Sequence, residues 1–417
     1  MGKLLFNKLW LPGFLSFGPQ SKPVRLSSLN VLIGPNGAGK SNFIEALELL
    51  HAAPGDLAGA IRLGGRPQDW LFQGKGLSAR PPHRHKQVAR LRADLAAQKP
   101  TRGATRTPAL TYELELGQAD ERMEVAEEWL RPTLSVTHSV VSRFYYYRFE
   151  DGRASIGMAM PPERRHIKNG RVVVRKLPPE TINRQQSILS QRTDVELYPE
   201  LTTTARRFAR MQLFREWSFG RSAVTRFPQP ADLPADRLLP GLANLGLVLN
   251  DMESRDVWPR FKELLTRFLP RFSNASTRIN NGSVQILLHE EGLGPPMPAL
   301  RLSDGTLRFI ALLCILLNAD RASLICIEEP ELGMHPDVMP LIAELLVEAS
   351  TKTQVVATTH SDALVSELTE HTDSVLICER MESGTELQRL DPEKLGLWLE
   401  RYRLGEVWRL GKLGGNL

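Results

Sequence analysis

The spacing of apolar and polar positions changes along the chain, and these changes predict where strands and helices lie. Residues 28–33 form a short apolar run, which is typical of a buried strand. Residues 42–50 contain no Gly or Pro and predict a helix. The middle of the chain predicts strands at 111–116, 144–149 and 283–288, a hairpin around Asn169-Gly170, and helices within 199–219 and 241–269.

From Leu302 onwards the chain is strongly patterned again. A helix is predicted from near Gly305 through Leu317, and the remaining elements are a buried strand at 324–327, a helix at 338–349, and strands at 353–358 and 374–378. Alternating strands and helices favour a parallel α/β sheet. Because the two patterned ends lie far apart, we expect one domain interrupted by a long insertion. The predicted parts are an N-terminal part of this domain at 1–78, a basic surface insertion at 79–106, an inserted α+β lobe at 107–300, and a C-terminal part of the same domain at 301–417.

Composition changes this picture little. Of the 417 residues 42% are hydrophobic and 24% charged, as in ordinary globular proteins, and no apolar run approaches the roughly 18 residues of a membrane span. The N-terminus lacks a secretory pattern, so we expect a cytoplasmic protein with no membrane contact. Three cysteines lie in apolar stretches without a C-x-x-C pair, which favours buried thiols over a disulfide or metal site. The net charge of +6 permits a polyanionic partner without requiring one.

Residues 79–106 stand apart because their charge is almost all positive. The stretch contains one acid, Asp94. Its basic residues are Arg80, Arg84, Lys86, Arg90, Arg92, Lys99, Arg102 and Arg106. One interpretation is a solvated, poorly ordered surface insertion. The other is a basic arm that neutralises the phosphates of DNA.

The stretch between the first apolar strand and its helix matches the phosphate-binding pattern G-x-x-x-x-G-K-[ST], the P-loop. Its residues, with the first helical residue, are Gly34, Pro35, Asn36, Gly37, Ala38, Gly39, Lys40, Ser41 and Asn42. Backbone N–H groups and the helix N-terminus would bind the phosphates. Lys40 would reach the outer phosphates, and the Ser41 hydroxyl would be a ligand of Mg²⁺.

Three later stretches carry further chemistry. The apolar strand 324–327 runs into two acids, which suits Glu328 as a Mg²⁺ ligand and Glu329 as general base or water-positioning group. Ser303 or Asp304 can cap the helix that follows, and Gly305 permits close approach to a phosphate. His360 follows the next strand, where its ring could hydrogen-bond a γ-phosphate oxygen.

In this order the four stretches resemble an ABC-type ATPase head, with its Walker A loop, signature loop, Walker B strand and switch histidine. Within that superfamily the chain resembles the RecF-like branch, which includes SMC, Rad50 and the overcoming-lysogenization-defect ATPases. The run 327–336 is similar to the E-E-P-E-x-x-x-H-P run of small predicted bacterial AAA-family ATPases, and further similar stretches are 64–71, 198–201, 217–220, 244–247 and 405–416. The resemblance implies an α/β P-loop NTPase with a mixed sheet, interrupted by an α+β insertion.

The resemblance also implies a mechanism that uses ATP and Mg²⁺. Such heads dimerise head to tail around two ATP molecules, so that each P-loop would meet Ser303, Asp304 and Gly305 of the other copy. The resemblance assigns catalytic roles to Lys40, Glu329 and His360. Gln73 would contact the metal as the glutamine-loop residue, with Gln185 and Gln186 as competitors. Two departures predict slow turnover, because Glu328 stands where Asp is frequent and Asp304 stands where Gly is common.

Four functions are compatible with these features. The first is an ATP-gated dimeric ATPase acting on DNA, in repair or in anti-phage defence. The alternative is a regulatory ATPase that binds and controls an effector protein, such as a toxin or nuclease, without contacting DNA. A transporter subunit is disfavoured by the long insertion and the absence of an apolar span. An intrinsic nuclease is disfavoured because few residues follow Cys378.

Overall fold

The structure is a computed structural model that describes residues 4–74, 87–97, 108–133, 145–158, 173–292 and 294–414. The strands are β1 (Phe6–Trp10), β2 (Val24–Arg25), β3 (Leu29–Ile33), β4 (Val88–Leu95), β5 (Leu110–Ala119), β6 (Arg122–Pro132), β7 (Tyr147–Glu150), β8 (Arg153–Met158), β9 (Val173–Leu177), β10 (Met211–Phe214), β11 (Gln229–Pro230), β12 (Phe272–Asn280), β13 (Ser283–Glu290), β14 (Met297–Pro298), β15 (Leu324–Glu328), β16 (Gln354–Thr358), β17 (Val375–Met381) and β18 (Gly384–Arg389).

The helices lie mainly in the second half of the chain. They are α1 (Lys40–Ala52), α2 (Leu57–Leu63), α3 (Ile188–Gln191), α4 (Pro199–Ala209), α5 (Leu245–Glu253), α6 (Trp258–Phe268), α7 (Asp304–Leu317), α8 (Met339–Lys352), α9 (Asp362–Glu367), α10 (Pro392–Leu399) and α11 (Leu404–Arg409). Among the described residues, no helix has both the length and the apolar character that crossing a membrane requires.

A six-stranded sheet joins the two patterned ends of the chain. Its order is β10-β15-β16-β3-β17-β18, with the first five strands parallel and β18 antiparallel to β17. The P-loop strand β3 therefore lies between β16 and β17, which come from the C-terminal part of the sequence. This mixed sheet agrees with the predicted α/β architecture, and it brings together the carboxyl ends of β3, β15 and β16.

The two faces of this sheet bury separate cores because successive side chains of a strand point to opposite faces. On β3, Val31 and Ile33 pack into a core with α5 to α9, whereas Leu32 packs into a second core with α1 and α4. On β15, Ile325 and Cys326 alternate in the same way. The three cysteines are buried free thiols, as predicted.

An eight-stranded antiparallel sheet covers the α1 side, in the order β2-β1-β4-β5-β6-β7-β8-β9. Here the structure differs from the expected surface insertion at 79–106, because residues 88–95 form β4, an interior strand of this sheet. Ala89 and Leu91 are fully buried, while Arg90 and Arg92 lie on the other face. The sequence interpretation counted charges and missed this period-two pattern. The other six basic residues of the stretch lie outside the described residues.

Two further predictions are corrected by the structure. The helix expected within 199–219 ends at Ala209, and Met211–Phe214 forms β10, parallel to β15. The expected lobe at 107–300 consequently contributes a strand to the head's central sheet, rather than standing apart from it. The helices α5 and α6 and the strand at 283–288, which is part of β13, are confirmed, and β12 pairs with β13 through a turn at Asn281-Gly282 that was not predicted as a hairpin. The turn of the hairpin expected at Asn169-Gly170 lies outside the described residues.

Candidate functional site

The P-loop connects β3 to the first residue of α1, and two of its glycines are required by close approaches of the backbone. Gly34 has φ +144°, and a Cβ there would lie 2.3 Å from the carbonyl oxygen of Cys378 on β17. Gly39 has φ +107°, and a Cβ there would lie 2.4 Å from the hydroxyl of Thr385 on β18. Both φ values lie outside the range that other residues adopt readily. The P-loop backbone therefore packs directly against β17 and β18, the last two strands of the sheet.

The side chain of Lys40 lies inside the loop. It is 6% exposed, and its Nζ donates hydrogen bonds to the carbonyl oxygens of Gly34, at 2.7 Å, and Pro35, at 3.0 Å. Burial lowers the pKa of Lys40, although the carboxylates of Glu328 and Glu329 act in the opposite direction. The ammonium group is thus held at the loop by weak carbonyl partners that a phosphate could replace.

Ser41 and Glu328 meet although 287 positions separate them in sequence. The Ser41 hydroxyl donates to Oε1 of Glu328 at 2.6 Å. Mg²⁺ in nucleotide sites is bound by one or two carboxylates together with hydroxyl, water and phosphate oxygens. Within the described part of the chain, no cluster of three or more His, Cys, Asp or Glu side chains is arranged to hold a metal. The Ser41 hydroxyl and the Glu328 carboxylate are both oxygen ligands of the kind that such a Mg²⁺ uses.

Glu329 adopts an unusual backbone conformation at the end of β15. Its φ is +48°, in the left-handed region that non-glycine residues seldom occupy. Its backbone N–H donates to the carbonyl oxygen of Thr358 at 3.1 Å. The Glu329 carboxylate lies 3.6 Å from Nε2 of His360, and burial, together with the charge of Lys40, lowers the pKa of that imidazole. A neutral His360 can therefore donate a hydrogen bond within the site at neutral pH.

These side chains line one cleft of about 270 Å³ at the carboxyl end of the parallel strands. Its lining comprises Asn36, Gly37, Gly39, Lys40, Ser41, Asn42, Glu328, Glu329, Thr358, His360 and Arg380. The cleft lining thus includes the predicted catalytic residues and most of the predicted P-loop residues, but not Gly34, Pro35 or Ala38. Ligands of α/β proteins commonly bind at this edge of the sheet.

Gln73 is not among the residues that line this cleft. Its side-chain amide donates to the carbonyl oxygens of Gln68, at 2.7 Å, and Leu71, at 3.3 Å. Leu71 in turn pairs with Phe14 in an isolated β-bridge, which ties the segment to the turn after β1. The geometry therefore gives no support to Gln73 as a metal ligand. Neither Gln185 nor Gln186 lines the cleft either.

Ser303, Asp304 and Gly305 also lie outside the lining of this cleft. Ser303 is the helix cap, because its hydroxyl accepts a hydrogen bond from the backbone N–H of Thr306 at 3.0 Å. Asp304 forms an ion pair with Arg226, whose guanidinium also donates to the carbonyl oxygen of Leu302 at 2.7 Å. The negative charge at the start of α7 is therefore balanced within the chain.

Sequence reasoning missed three residues at or beside the cleft. Arg380 lies on β17, in a segment that no motif marked, and it adds a cation to the cleft lining. Arg215 and Trp217 follow β10 and contact Glu328 through its side chain and its carbonyl oxygen, respectively. An apolar run before Arg215 was the available signal, but it was read as part of a helix.

Two solved structures illustrate how far the fold extends over the chain. The Smc head bound to the C-winged helix domain of ScpA is 16% identical, covers 94% of this chain and 99% of its own, and has a TM-score of 0.55. A Smc head with an extended coiled coil, bound to the C-terminal domain of ScpA from Pyrococcus furiosus, is 15% identical, covers 95% and 98%, and has a TM-score of 0.53. At this identity the likeness shows the fold, and it confirms the predicted ABC-like head. A comparison with curated proteins finds no match.

A protein family matches the chain over residues 29–87 and 173–366, more than half of its length. The two matched segments include the P-loop, the acids after β15 and His360. They exclude most of the eight-stranded sheet. The chain therefore belongs to the family described as AAA domain, putative AbiEii toxin, Type IV TA system, whose members share an ATPase domain of this kind.

Proposed function

We propose that the chain is a Mg²⁺-dependent ATPase that acts as an ATP-gated dimeric switch. The observation that carries the proposal is the 2.6 Å contact between Ser41 and Glu328, which joins the P-loop to the acidic end of β15. The same cleft holds Lys40, Glu329 and His360. A carboxylate beside the P-loop hydroxyl would repel a bound phosphate unless a cation lay nearby. Its presence therefore favours a site that binds a cation together with the phosphate.

Each group has a distinct role in this proposal. Lys40 would bind the outer phosphates, and Ser41 and Glu328 would hold the Mg²⁺. When bound, that metal neutralises charge on the phosphate oxygens. Glu329 orients the attacking water and accepts its proton, and neutral His360 donates a hydrogen bond to the γ-phosphate. The left-handed backbone of Glu329 is strain of the kind that clusters at active sites, which supports this role.

The dimer belongs to the proposal because the cleft lacks the residues at the start of α7. Ser303, Asp304 and Gly305 do not line the cleft of their own chain, so a second copy would bring its α7 N-terminus to the nucleotide. The partial positive charge of a helix N-terminus favours a phosphate there. The ion pair of Asp304 with Arg226 reduces the repulsion that its carboxylate would cause.

The test is the mass of the purified chain in solution, with and without ATP and Mg²⁺. A Glu329→Gln variant keeps the nucleotide site but slows hydrolysis, so ATP should convert it to a dimer or tighten an existing dimer. Lys40→Ala in the same background is the matched control and should stay unchanged by ATP. An E329Q protein whose mass and dimer affinity ignore ATP would refute the switch.

A second candidate, control of an effector protein without DNA contact, is supported by the charges on β4. Arg90 donates to Glu115 at 2.8 Å and lies 3.2 Å from Glu113, and Arg92 lies 3.7 Å from Asp94. These two cations therefore already have carboxylate partners within the chain. The family description, which names a putative toxin of a Type IV toxin–antitoxin system, associates the family with such systems.

An ATPase that acts directly on DNA and one that controls an effector protein without DNA contact differ in how DNA affinity depends on salt. Direct DNA binding through the basic stretch predicts an affinity that falls steeply with salt and falls again when Arg80, Arg84 and Lys86 are changed to Gln. A mobility-shift titration at two salt concentrations measures both effects. An unchanged affinity in the triple variant removes this stretch from any DNA role and leaves the effector candidate.

A further inference from the structure

Three carboxylates converge on the single guanidinium of Arg215, and each meets a different nitrogen. Nη1 lies 2.6 Å from Glu48, Nη2 lies 3.3 Å from Glu45, and Nε lies 3.3 Å from Oε2 of Glu328. The first two acids are on α1, the helix that begins in the P-loop, and the third ends β15. Arg215 therefore links the P-loop helix to the acidic strand end.

The register of the sheet puts Arg215 beside Glu328. Phe214, the last residue of β10, pairs with Ile327 in the parallel ladder, so the next residues of the two strands are neighbours. Two positions further on, the indole N–H of Trp217 donates to the carbonyl oxygen of Glu328 at 3.0 Å. The segment after β10 thus restrains both the backbone and the side chain of Glu328.

The two carboxylate oxygens of Glu328 have separate partners. Oε1 accepts from the Ser41 hydroxyl, and Oε2 faces Nε of Arg215. We propose that Arg215 is a positioning residue that holds Oε2 so that Oε1 is presented on the Ser41 side, where Glu328 and Ser41 would hold the Mg²⁺. This inference rests on the function proposed above. Groups that orient a metal-binding side chain commonly contribute a large part of the metal affinity.

The proposal also gives a reason for the length of the side chain at position 328. A Glu spans the space between Ser41 on one side and Arg215 on the other. An Asp is one methylene shorter, so it cannot keep both contacts without a shift of the backbone. Glu328 stands where Asp is frequent, and in this proposal the longer side chain is needed to reach Arg215.

A charge-only role is the competing explanation, because Arg215 also neutralises three acids. A lysine would preserve that charge but would lose the planar fork that reaches three carboxylates at once. Arg215→Lys therefore separates position from charge. Arg260 offers a matched control, since it too binds three glutamates: Glu263 at 2.7 Å, Glu344 at 2.5 Å and Glu348 at 3.0 Å. Its helices α6 and α8 contribute no residue to the cleft lining.

The experiment measures the affinity of a fluorescent ATP analogue for the purified full chain, first in EDTA and then over a Mg²⁺ series. In Arg215→Lys the Mg²⁺ concentration for half-maximal tightening should rise by about 10-fold or more, while the affinity in EDTA stays within about 2-fold. Arg260→Lys should resemble the wild type in both measurements. Glu328→Asp, which leaves Arg215 in place, should also raise the Mg²⁺ requirement.

The outcomes separate the inference from the function on which it rests. An unchanged Mg²⁺ requirement in Arg215→Lys overturns the positioning role and leaves a charge role. An equal loss of affinity in EDTA and in Mg²⁺ also overturns it, because Arg215 would then support the P-loop as a whole. If Arg215→Lys does not fold, a wild-type Mg²⁺ requirement in Glu328→Asp overturns the proposal. A wild-type chain whose ATP affinity ignores Mg²⁺ refutes the proposed function itself.

Discussion

Glu128 gives a prediction whose magnitude follows from the structure. The residue lies on β6, a strand of the eight-stranded sheet, and is 1% exposed. Oε1 accepts from the hydroxyls of Tyr112, at 2.7 Å, and Ser187, at 2.5 Å, and Oε2 accepts from the backbone N–H of Ile188 at 2.9 Å. Burial raises the pKa of Glu128 to about 7, against the opposing effect of these three hydrogen bonds.

The sign of the pH effect follows from that raised pKa. The folded chain keeps a proton on Glu128 up to about pH 7, whereas the unfolded chain loses it near pH 4.5. Between these values the folded state binds one more proton, so stability falls as pH rises, by about 1.4 kcal/mol per pH unit. Over the whole window the loss amounts to roughly 3 kcal/mol. Burial also raises the pKa of the neighbouring Tyr112 and Tyr147, so both stay neutral throughout.

The perturbation is Glu128→Gln, which cannot ionise. Its amide oxygen can accept from Ile188, and its NH₂ can donate to the hydroxyl oxygens of Tyr112 and Ser187. Urea unfolding at pH 5, 6, 7 and 8 gives the free-energy difference between variant and wild type at each pH. We expect a difference within about 1 kcal/mol at pH 5 and a variant that is more stable by about 2–3 kcal/mol at pH 8.

Taking the difference at each pH cancels the titration of all other groups that the two proteins share. Glu121→Gln, an exposed change in the turn before β6, is the control and should alter stability by no more than about 0.5 kcal/mol. A difference between E128Q and wild type that is flat from pH 5 to 8 would refute the reasoning. So would a variant that is destabilised equally at every pH.

Three further predictions concern the nucleotide site and the start of α7. Lys40→Ala should lower ATP affinity at least about 100-fold, measured by calorimetry, because it removes the ammonium group inside the P-loop; normal affinity would contradict the P-loop assignment. Arg380→Ala should weaken ATP binding roughly 3–10-fold in the same assay, since Arg380 lines the cleft; an unchanged affinity would remove it from the site. Arg226→Met should lower unfolding free energy by about 2–3 kcal/mol, because it leaves buried carbonyl oxygens unpaired. Asp304→Asn should cost less than about 1 kcal/mol, because the Asp304 side chain is 61% exposed; equal losses in the two variants would contradict this.

The parts of the site that lie on continuous motifs were predictable. The P-loop needs its glycines, lysine and serine in a fixed local order, and the acids of β15 follow an apolar run directly. Placing His360 near Glu329 required only that two parallel strands be neighbours. The position of Gln73 was harder to predict, because its segment is placed by a contact with the turn after β1 and not by a local sequence motif.

Strands inside charged or helix-like stretches were not predictable in this way. On β4 the charged residues Arg90, Arg92 and Asp94 alternate with the buried face, and half of that face is alanine, so its period-two pattern is weak in the sequence. β10 has only four residues after a helix, with no Gly or Pro between them. A run that short does not distinguish a strand from a helical turn. Missing β10 also meant missing Arg215.

The amino-acid sequence by itself determined which residues can bind phosphate, hold a metal and accept a proton, because those capacities are local to the P-loop and to the ends of two apolar strands. Only the tertiary structure decided which side chains stand together. Strand pairing joins segments that are distant along the chain, and its register is set by the burial of whole strand faces. The contacts of Arg215 with Glu328 and of Arg226 with Asp304 depend on that register and packing, so no local pattern could have revealed them.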